Sequence, residues 1–207
     1  MNKKYWDKYY SRKLGIQTPS SFASHVIPLI NKGDSILELG CGNGRDSFYF
    51  ANNGCQVYAL DQSQVIINRI KKRNINPKFI CDNIENFQKN FKYQINHCYA
   101  RFFLHALDKN EENQVLRSIS KILPENGLFF SENRSVKSDL YGKGEVISKD
   151  IFNTDHKRRF IRKNNLISKL KENGFKIETV VETNGVAIYK NDDPVVIRIC
   201  ARKYSNI

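Results

Sequence analysis

The stretch Ser35-Ile-Leu-Glu-Leu-Gly-Cys-Gly-Asn-Gly-Arg-Asp46 decides the fold. Ile36, Leu37 and Leu39 form the short apolar run of a buried parallel strand, and Gly40, Gly42 and Gly44 alternate directly behind it. Glycines at this point let the backbone turn sharply and approach a ligand without Cβ atoms in the way. Ser47-Phe-Tyr-Phe-Ala51 continues at helical spacing, so the turn opens a helix whose first N–H groups point at the pocket. Strand, glycine turn and helix in this order make a nucleotide-cofactor cradle. A dinucleotide fingerprint needs a third glycine where Arg45 stands. Glu38, inside the strand, opposes a pyrophosphate and suits a cofactor that carries an ammonium and a sulfonium.

Three further segments repeat the pattern of a strand ending in a polar residue. Val57-Tyr-Ala-Leu-Asp61 places a carboxylate about 20 residues beyond the turn, where it can accept both ribose hydroxyls. Phe79-Ile-Cys-Asp82 supplies a third strand and a second acid, and His97-Cys-Tyr-Ala-Arg-Phe-Phe-Leu-His105 a fourth strand with its following loop. Together with Glu38-Leu-Gly-Cys-Gly-Asn-Gly44, this series resembles the class I S-adenosylmethionine (SAM)-dependent methyltransferases. The resemblance implies an α/β, Rossmann-like fold: a seven-stranded, mostly parallel sheet in the order 3-2-1-4-5-7-6 with helices on both faces. It also implies SAM as cofactor, S-adenosylhomocysteine as its product, and a cofactor site of Glu38, Gly40, Cys41, Gly42, Gly44, Arg45, Asp46, Asp61, Gln62, Asp82, Asn83, Ile84 and Arg101.

A chain of 207 residues is long enough for one sizeable core, and residues 1–207 read as a single domain. Lys and Arg outnumber Asp and Glu by 34 to 21, a net charge of +13 that calls for an anionic partner. The Lys-, Asn- and Ile-rich composition produces a solvated basic surface equally well. The five cysteines form no C-x-x-C pair and no metal-ligand spacing, so they read as buried reduced thiols and no metal is expected. No apolar run approaches the roughly 20 residues of a membrane span, and the expectation is a cytoplasmic protein without membrane insertion.

Residues 1–33 read as a helical cover, with an aromatic, basic helix over 2–14 and a second helix from Thr18-Pro-Ser-Ser to about Asn31. Strands 35–39, 56–60, 78–81, 95–100 and 127–132 alternate with helices 45–53, 62–73 and 109–123. Residues 133–160 lack clear periodicity and read as an insertion over the active site, the kind of loop that carries specificity. A basic helix over 160–173 and strands 176–182 and 194–201 close the chain.

Methyl transfer to a hydroxyl asks the protein to position the nucleophile and remove its proton. His105, past the end of the fourth strand, is the candidate base, with Arg101 beside it lining the pocket as the second catalytic candidate. Arg134 at the end of the fifth strand, with His156, Arg158 and Arg159 from Asp155-His-Lys-Arg-Arg-Phe160, can hold a small anionic, phosphate-bearing substrate. Three basic side chains at a helix start conflict with its dipole, and a bound anion would offset that conflict. Trp6, Tyr10 and Phe22 are expected to cover the cofactor, with Trp6 and Tyr10 also in the substrate set, whereas His25 and His97 read as structural.

Gly40-Cys-Gly-Asn-Gly-Arg-Asp-Ser47 resembles the variant found in thiopurine- and tellurite-type enzymes, and no N-P-P-Y-like tetrapeptide follows the fourth strand. Ala100–His105 and Ser138–Gly144 resemble segments of bacterial methyltransferases associated with surface-polysaccharide and phosphoramidate modification. The expected reaction is methylation of a small anionic acceptor at oxygen, in a setting such as capsule modification. Two alternatives stay open: an RNA methyltransferase using the basic surface, although nucleic acid is disfavoured as a partner, and a catalytically silent binding subunit that keeps the fold.

Overall fold

The computed structural model describes residues 5–8, 18–71, 77–90, 93–154 and 156–204. Five strands, β1 (Ser35–Leu39), β2 (Gln56–Asp61), β3 (Lys78–Cys81), β4 (His97–Arg101) and β5 (Leu128–Arg134), run parallel. Three short strands, β6 (Glu145–Ser148), β7 (Ile151–Asn153) and β8 (Lys157–Arg159), form a separate antiparallel sheet. The hairpin of β9 (Phe175–Thr183) and β10 (Val196–Lys203) then joins the large sheet, β10 pairing antiparallel with β5. The seven strands lie in the order β3-β2-β1-β4-β5-β10-β9, which is 3-2-1-4-5-7-6 when only this sheet is numbered.

All five residues of β1 are buried, as expected of a parallel strand covered on both faces. Ile36 points into one layer with Phe22, Phe50, Ile66, Tyr99 and Phe130, packed under helices α1 (Ser21–Val26), α2 (Arg45–Asn52) and α3 (Gln64–Lys71). Leu37 and Leu39 point into the other layer with Phe87, Leu116, Ile119, Leu166 and Leu170, from α4 (Ile84–Asn90), α5 (Lys109–Ile122) and α6 (Lys163–Glu172). Strand alternation therefore sends Glu38 to the face that carries the first turn of α2. The α5 start is fixed by a capping box, Asp108 accepting from the Glu111 N–H while Glu111 accepts from the Asp108 N–H, both at 2.9 Å.

The structure departs from the sequence expectation in three places. The second expected helix ends at Val26 and passes into a 3₁₀ turn, Ile27–Leu29, where Pro28 has no N–H to continue the ladder. The α4 helix, for which no sequence signal was read, is capped by Asn83, whose Oδ1 accepts from the Asn86 N–H at 2.9 Å. Residues 133–160 are not an irregular loop: β5 extends to Arg134, and Lys157–Arg159 is extended in β8 while the basic helix begins only at Lys163. Extended pairing of Arg158 with Phe152 and Arg159 with Ile151 removes the clash between three cations and a helix N-terminus. Tyr141, Phe152 and Phe160 form the small sheet's aromatic core, with ring centroids 5.2 to 5.8 Å apart. No helix among the described residues is long and apolar enough to cross a membrane.

Candidate active site

The glycine turn sits at the carboxyl ends of β1 and β2. Gly40 has φ +72, and a Cβ there would lie 2.8 Å from the Phe103 ring; Gly44, at φ +75, precedes α2 and abuts Phe79 in the same way. Both positions need a left-handed backbone and leave no room for a side chain. Asp61, at the end of β2, ties the turn down: its Oδ2 accepts from Gly42 N and its Oδ1 from Ser63 N, each at 2.9 Å. Burial raises the Asp61 pKa, while these backbone bonds partly offset the shift. Asp82, just beyond β3, accepts from Asn83 N at 2.8 Å and donates its own N–H to the Asp61 carbonyl.

Between these ends lies a cavity of about 240 Å³. Of the residues expected to hold a cofactor, Gly40, Asp61, Gln62, Asp82, Asn83 and Ile84 line it. Leu39, Leu60, Phe103, Leu107 and Val115 add apolar walls that the sequence reading did not assign. Leu39, Leu60 and Val115 carry only the ordinary core periodicity of β1, β2 and α5, which does not separate a core wall from a pocket wall, and Phe103 and Leu107 flank the 3₁₀ turn after β4.

Glu38 is buried beneath the turn and accepts a hydrogen bond from Ser47 Oγ. Burial, reinforced by the Asp46 charge, pushes its pKa up to about 8. Asp46 itself is committed to the fold: Oδ1 accepts from Ser20 N, and Oδ2 from Ser20 Oγ and the Tyr99 hydroxyl, at 2.7 to 2.9 Å. This pins α1, α2 and β4 together. Arg45 pairs with Asp46 at 3.6 Å, and Cys41 is a buried thiol whose pKa burial drives upward.

A second cluster surrounds the ends of β4 and β5. Glu132, fully buried, is clamped between Arg101 at 2.8 Å and Arg198 of β10 at 2.7 Å. Phe102 carries φ +50, a left-handed backbone held by its N–H bond to the Glu132 carbonyl at 2.8 Å. The Arg101 guanidinium lies 4.3 Å from the Phe102 ring centroid, and the His105 ring 5.3 Å. His105 sits in a 3₁₀ turn, Leu104–Ala106, is buried, and has no hydrogen-bond partner for Nδ1 among the described residues. Burial first, then the charges of Arg158, Arg134, His156 and Arg159, hold its pKa well below the usual imidazole value. The four basic residues singled out in the sequence are thus gathered within electrostatic reach of one neutral imidazole.

Their individual commitments differ. Arg159 spends its donors inside the protein, on the carbonyls of Leu107 (2.8 Å) and Leu104 (2.7 Å) and on Glu112 (2.9 Å). Arg158 donates to Thr154 Oγ1 at 2.9 Å. Arg134 is paired with Asp192 in the β9–β10 loop. Tyr5 stacks on His156 at 4.8 Å, with its hydroxyl 3.1 Å from Nδ1, and Trp6 meets the same ring edge-on at 5.9 Å. Asp7 bonds Ser63 Oγ, so residues 5–8 bridge the end of β2 and the small sheet. Tyr10 lies outside the described residues.

Residues 36–127 match the family model described as a methyltransferase domain. In this segment the chain is similar to methyltransferases. It is 28% identical over 136 residues to pavine N-methyltransferase of Thalictrum flavum subsp. glaucum, covering 61% of this chain and 36% of that protein. It is 30% identical over 116 residues to the ubiquinone biosynthesis O-methyltransferase of Coxiella burnetii, covering 53% of this chain and 48% of that protein. The chain therefore spans half or less of the length of these curated relatives. The 1,6-didemethyltoxoflavin-N1-methyltransferase of Burkholderia thailandensis, solved with S-adenosylhomocysteine, shares the fold at TM-score 0.69 and 14% identity, over 98% of this chain and 84% of that one.

The residues of this site fit SAM. The Gly40 cradle admits no Cβ, the cavity is lined by four acidic residues, Asp61, Asp82, Glu85 and Glu111, able to accept from hydroxyl and amine donors, and Glu38 offers a buried acid beneath a turn that would carry cationic groups.

Proposed function

We propose that the chain is a SAM-dependent methyltransferase acting on a hydroxyl of a small, phosphate-bearing acceptor. Asp61 and Asp82 would hold the ribose and adenine ends, the turn from Gly40 to Gly44 the amino-acid end, and Glu38 would answer its positive charge. When bound, SAM supplies an electrophilic methyl carbon together with its own leaving group.

One arrangement carries the reading: His105 is buried in the turn whose Leu104 and Leu107 carbonyls Arg159 holds, against the Phe102 ring that Arg101 and Arg134 also flank, and burial with the charges of Arg158, Arg134 and Arg159 keeps it neutral. An imidazole in that field is a poor base, because its protonated form adds one more cation to a cationic pocket. Arg134 and Arg159 are already paired with Asp192 and Glu112, and an acceptor phosphate would add negative charge beside His105 beyond those carboxylates, so the imidazole gains basicity when an anionic acceptor is in place. The imidazole then takes the hydroxyl proton while Arg101, fixed by Glu132, lies against the same Phe102 ring. Selectivity for anionic acceptors and activation of the base follow from one arrangement.

The test is methyl transfer from labelled SAM to paired acceptors, phosphorylated sugars against the same sugars without phosphate. The surface-polysaccharide resemblance of residues 100–105 and 138–144 directs the choice of sugars. Transfer should favour the phosphorylated member, and His105→Gln should lower kcat by about 10²- to 10⁴-fold. Equal use of both members, or an unchanged kcat in the variant, would overturn the proposal.

A further inference from the structure

Arg134 ends β5 with a guanidinium only 8% exposed, yet its ion-pair partner is the 44% exposed carboxylate of Asp192. The pair is two-pronged: Nη1 donates to Oδ1 at 3.3 Å and Nη2 to Oδ2, and Nη1 also reaches Ser138 Oγ at 3.4 Å. A planar fork holding two oxygens of one group is how arginine recognises a carboxylate or a phosphate. The fork also lies near the proposed base: its carbon is 5.8 Å from the Phe102 ring centroid, and that ring is 5.3 Å from the His105 ring.

The loop that delivers Asp192 does not need this carboxylate for its own shape. Its turn is closed by backbone bonds, Tyr189 N to Asp192 O at 2.9 Å and Asp192 N to Tyr189 O at 3.0 Å. Its base is fixed separately, by Gly185 N on Asp193 Oδ1 at 2.7 Å and by Ser21 and Arg198 on the Val186 carbonyl. The exposed tip, with Ile188 and Tyr189, is free of the core. A buried cation is therefore held by a carboxylate that can leave without dismantling the turn.

Resting on the function proposed above, we propose that Asp192 is an internal stand-in for the acceptor's anionic group, displaced when a phosphate or carboxylate takes the Arg134 fork. Because the loop carboxylate competes for the fork, it lowers the affinity for external anions by the fraction of time it is bound. The exchange keeps a buried arginine neutralised in the empty enzyme and sets a threshold that only a group with two suitably spaced oxygens passes.

The experiment titrates inorganic phosphate and acetate, in parallel, into the full chain and into Asp192→Asn and Asp192→Ala, following amide shifts and the melting temperature. Both variants should melt lower than the wild type, and anion should restore them by more than it raises the wild type. Affinity for at least one anion should rise about tenfold, the one that gains identifying the group, and Arg134→Gln should abolish the gain. Unchanged affinity in both Asp192 variants, or a gain that survives Arg134→Gln, would overturn the exchange. S-adenosylhomocysteine binding, measured on the same samples, separates the two claims. Retained binding without an anion gain refutes the exchange alone, whereas no binding by the wild type refutes the methyltransferase reading beneath it.

Discussion

Arg159 and Glu112, 47 residues apart in the chain, meet as a buried ion pair at 2.9 Å beneath the turn that carries His105. The same guanidinium bonds the carbonyls of Leu104 and Leu107, one on each side of His105. The small sheet is thereby joined to the proposed base through one side chain.

Removing that side chain leaves two buried carbonyls and a buried carboxylate short of donors, although Lys169 still reaches Glu112 at 2.8 Å. Arg159→Met should destabilise the fold by about 3 kcal/mol, the lower end for breaking a buried pair. The double variant with Glu112→Met should recover part of that loss, because the stranded charge is gone. Urea unfolding of the four proteins of this cycle checks both statements.

Glu38 sets a pH dependence whose sign follows from its raised pKa. A carboxyl that titrates near 8 in the folded chain, against an ordinary 4.5, contributes stability below about 4.5 that is lost as pH rises through about 8. The cofactor-free protein should melt lower at pH 8.5 than at pH 6, and Glu38→Gln should flatten this difference by several degrees. Binding of SAM favours the ionised carboxylate, so it should release a proton below pH 8, and affinity should rise with pH up to that point. Calorimetry in buffers of different ionisation enthalpy reads the released proton directly.

Gly40→Ala places a methyl 2.8 Å from the Phe103 ring at a backbone φ of +72. The left-handed backbone alone costs about 1–2 kcal/mol. Affinity for S-adenosylhomocysteine should fall at least tenfold, and Gly40→Ala combined with Phe103→Ala should regain part of it by clearing the contact.

Tyr99→Phe removes one of three donors to the buried Asp46 carboxylate. The loss should be about 1–3 kcal/mol, the cost of leaving a buried acceptor short of a partner, with cofactor affinity little changed. A large loss of affinity without a stability change would instead place Asp46 on the ligand.

The cradle was legible because its determinants are local. Ser35 to Asp46 holds a strand, three glycines and a helix start in twelve consecutive letters, and the acids at Asp61 and Asp82 mark the ends of the next two strands. The second cluster was legible only in part. His105, Arg101 and Arg134 stand at strand ends, where topology alone puts them near a ligand. Their partners carry no local mark: Asp192 lies 58 residues from Arg134 in a turn-like Asn-Asp-Asp-Pro run, and Glu112 reads as a charge in the first turn of α5. The basic run at 157–159 resembles a helix start when its charges are weighed against a helix dipole, but pairing with β7 decides its conformation.

The most direct measurement of the account is the titration of SAM into the wild-type chain and Asp61→Asn by calorimetry. Saturable one-to-one binding by the wild type, weakened at least tenfold in the variant, is the expected result. Absence of binding by the folded wild-type chain, or equal affinity in the variant, would contradict the assignment of the cradle.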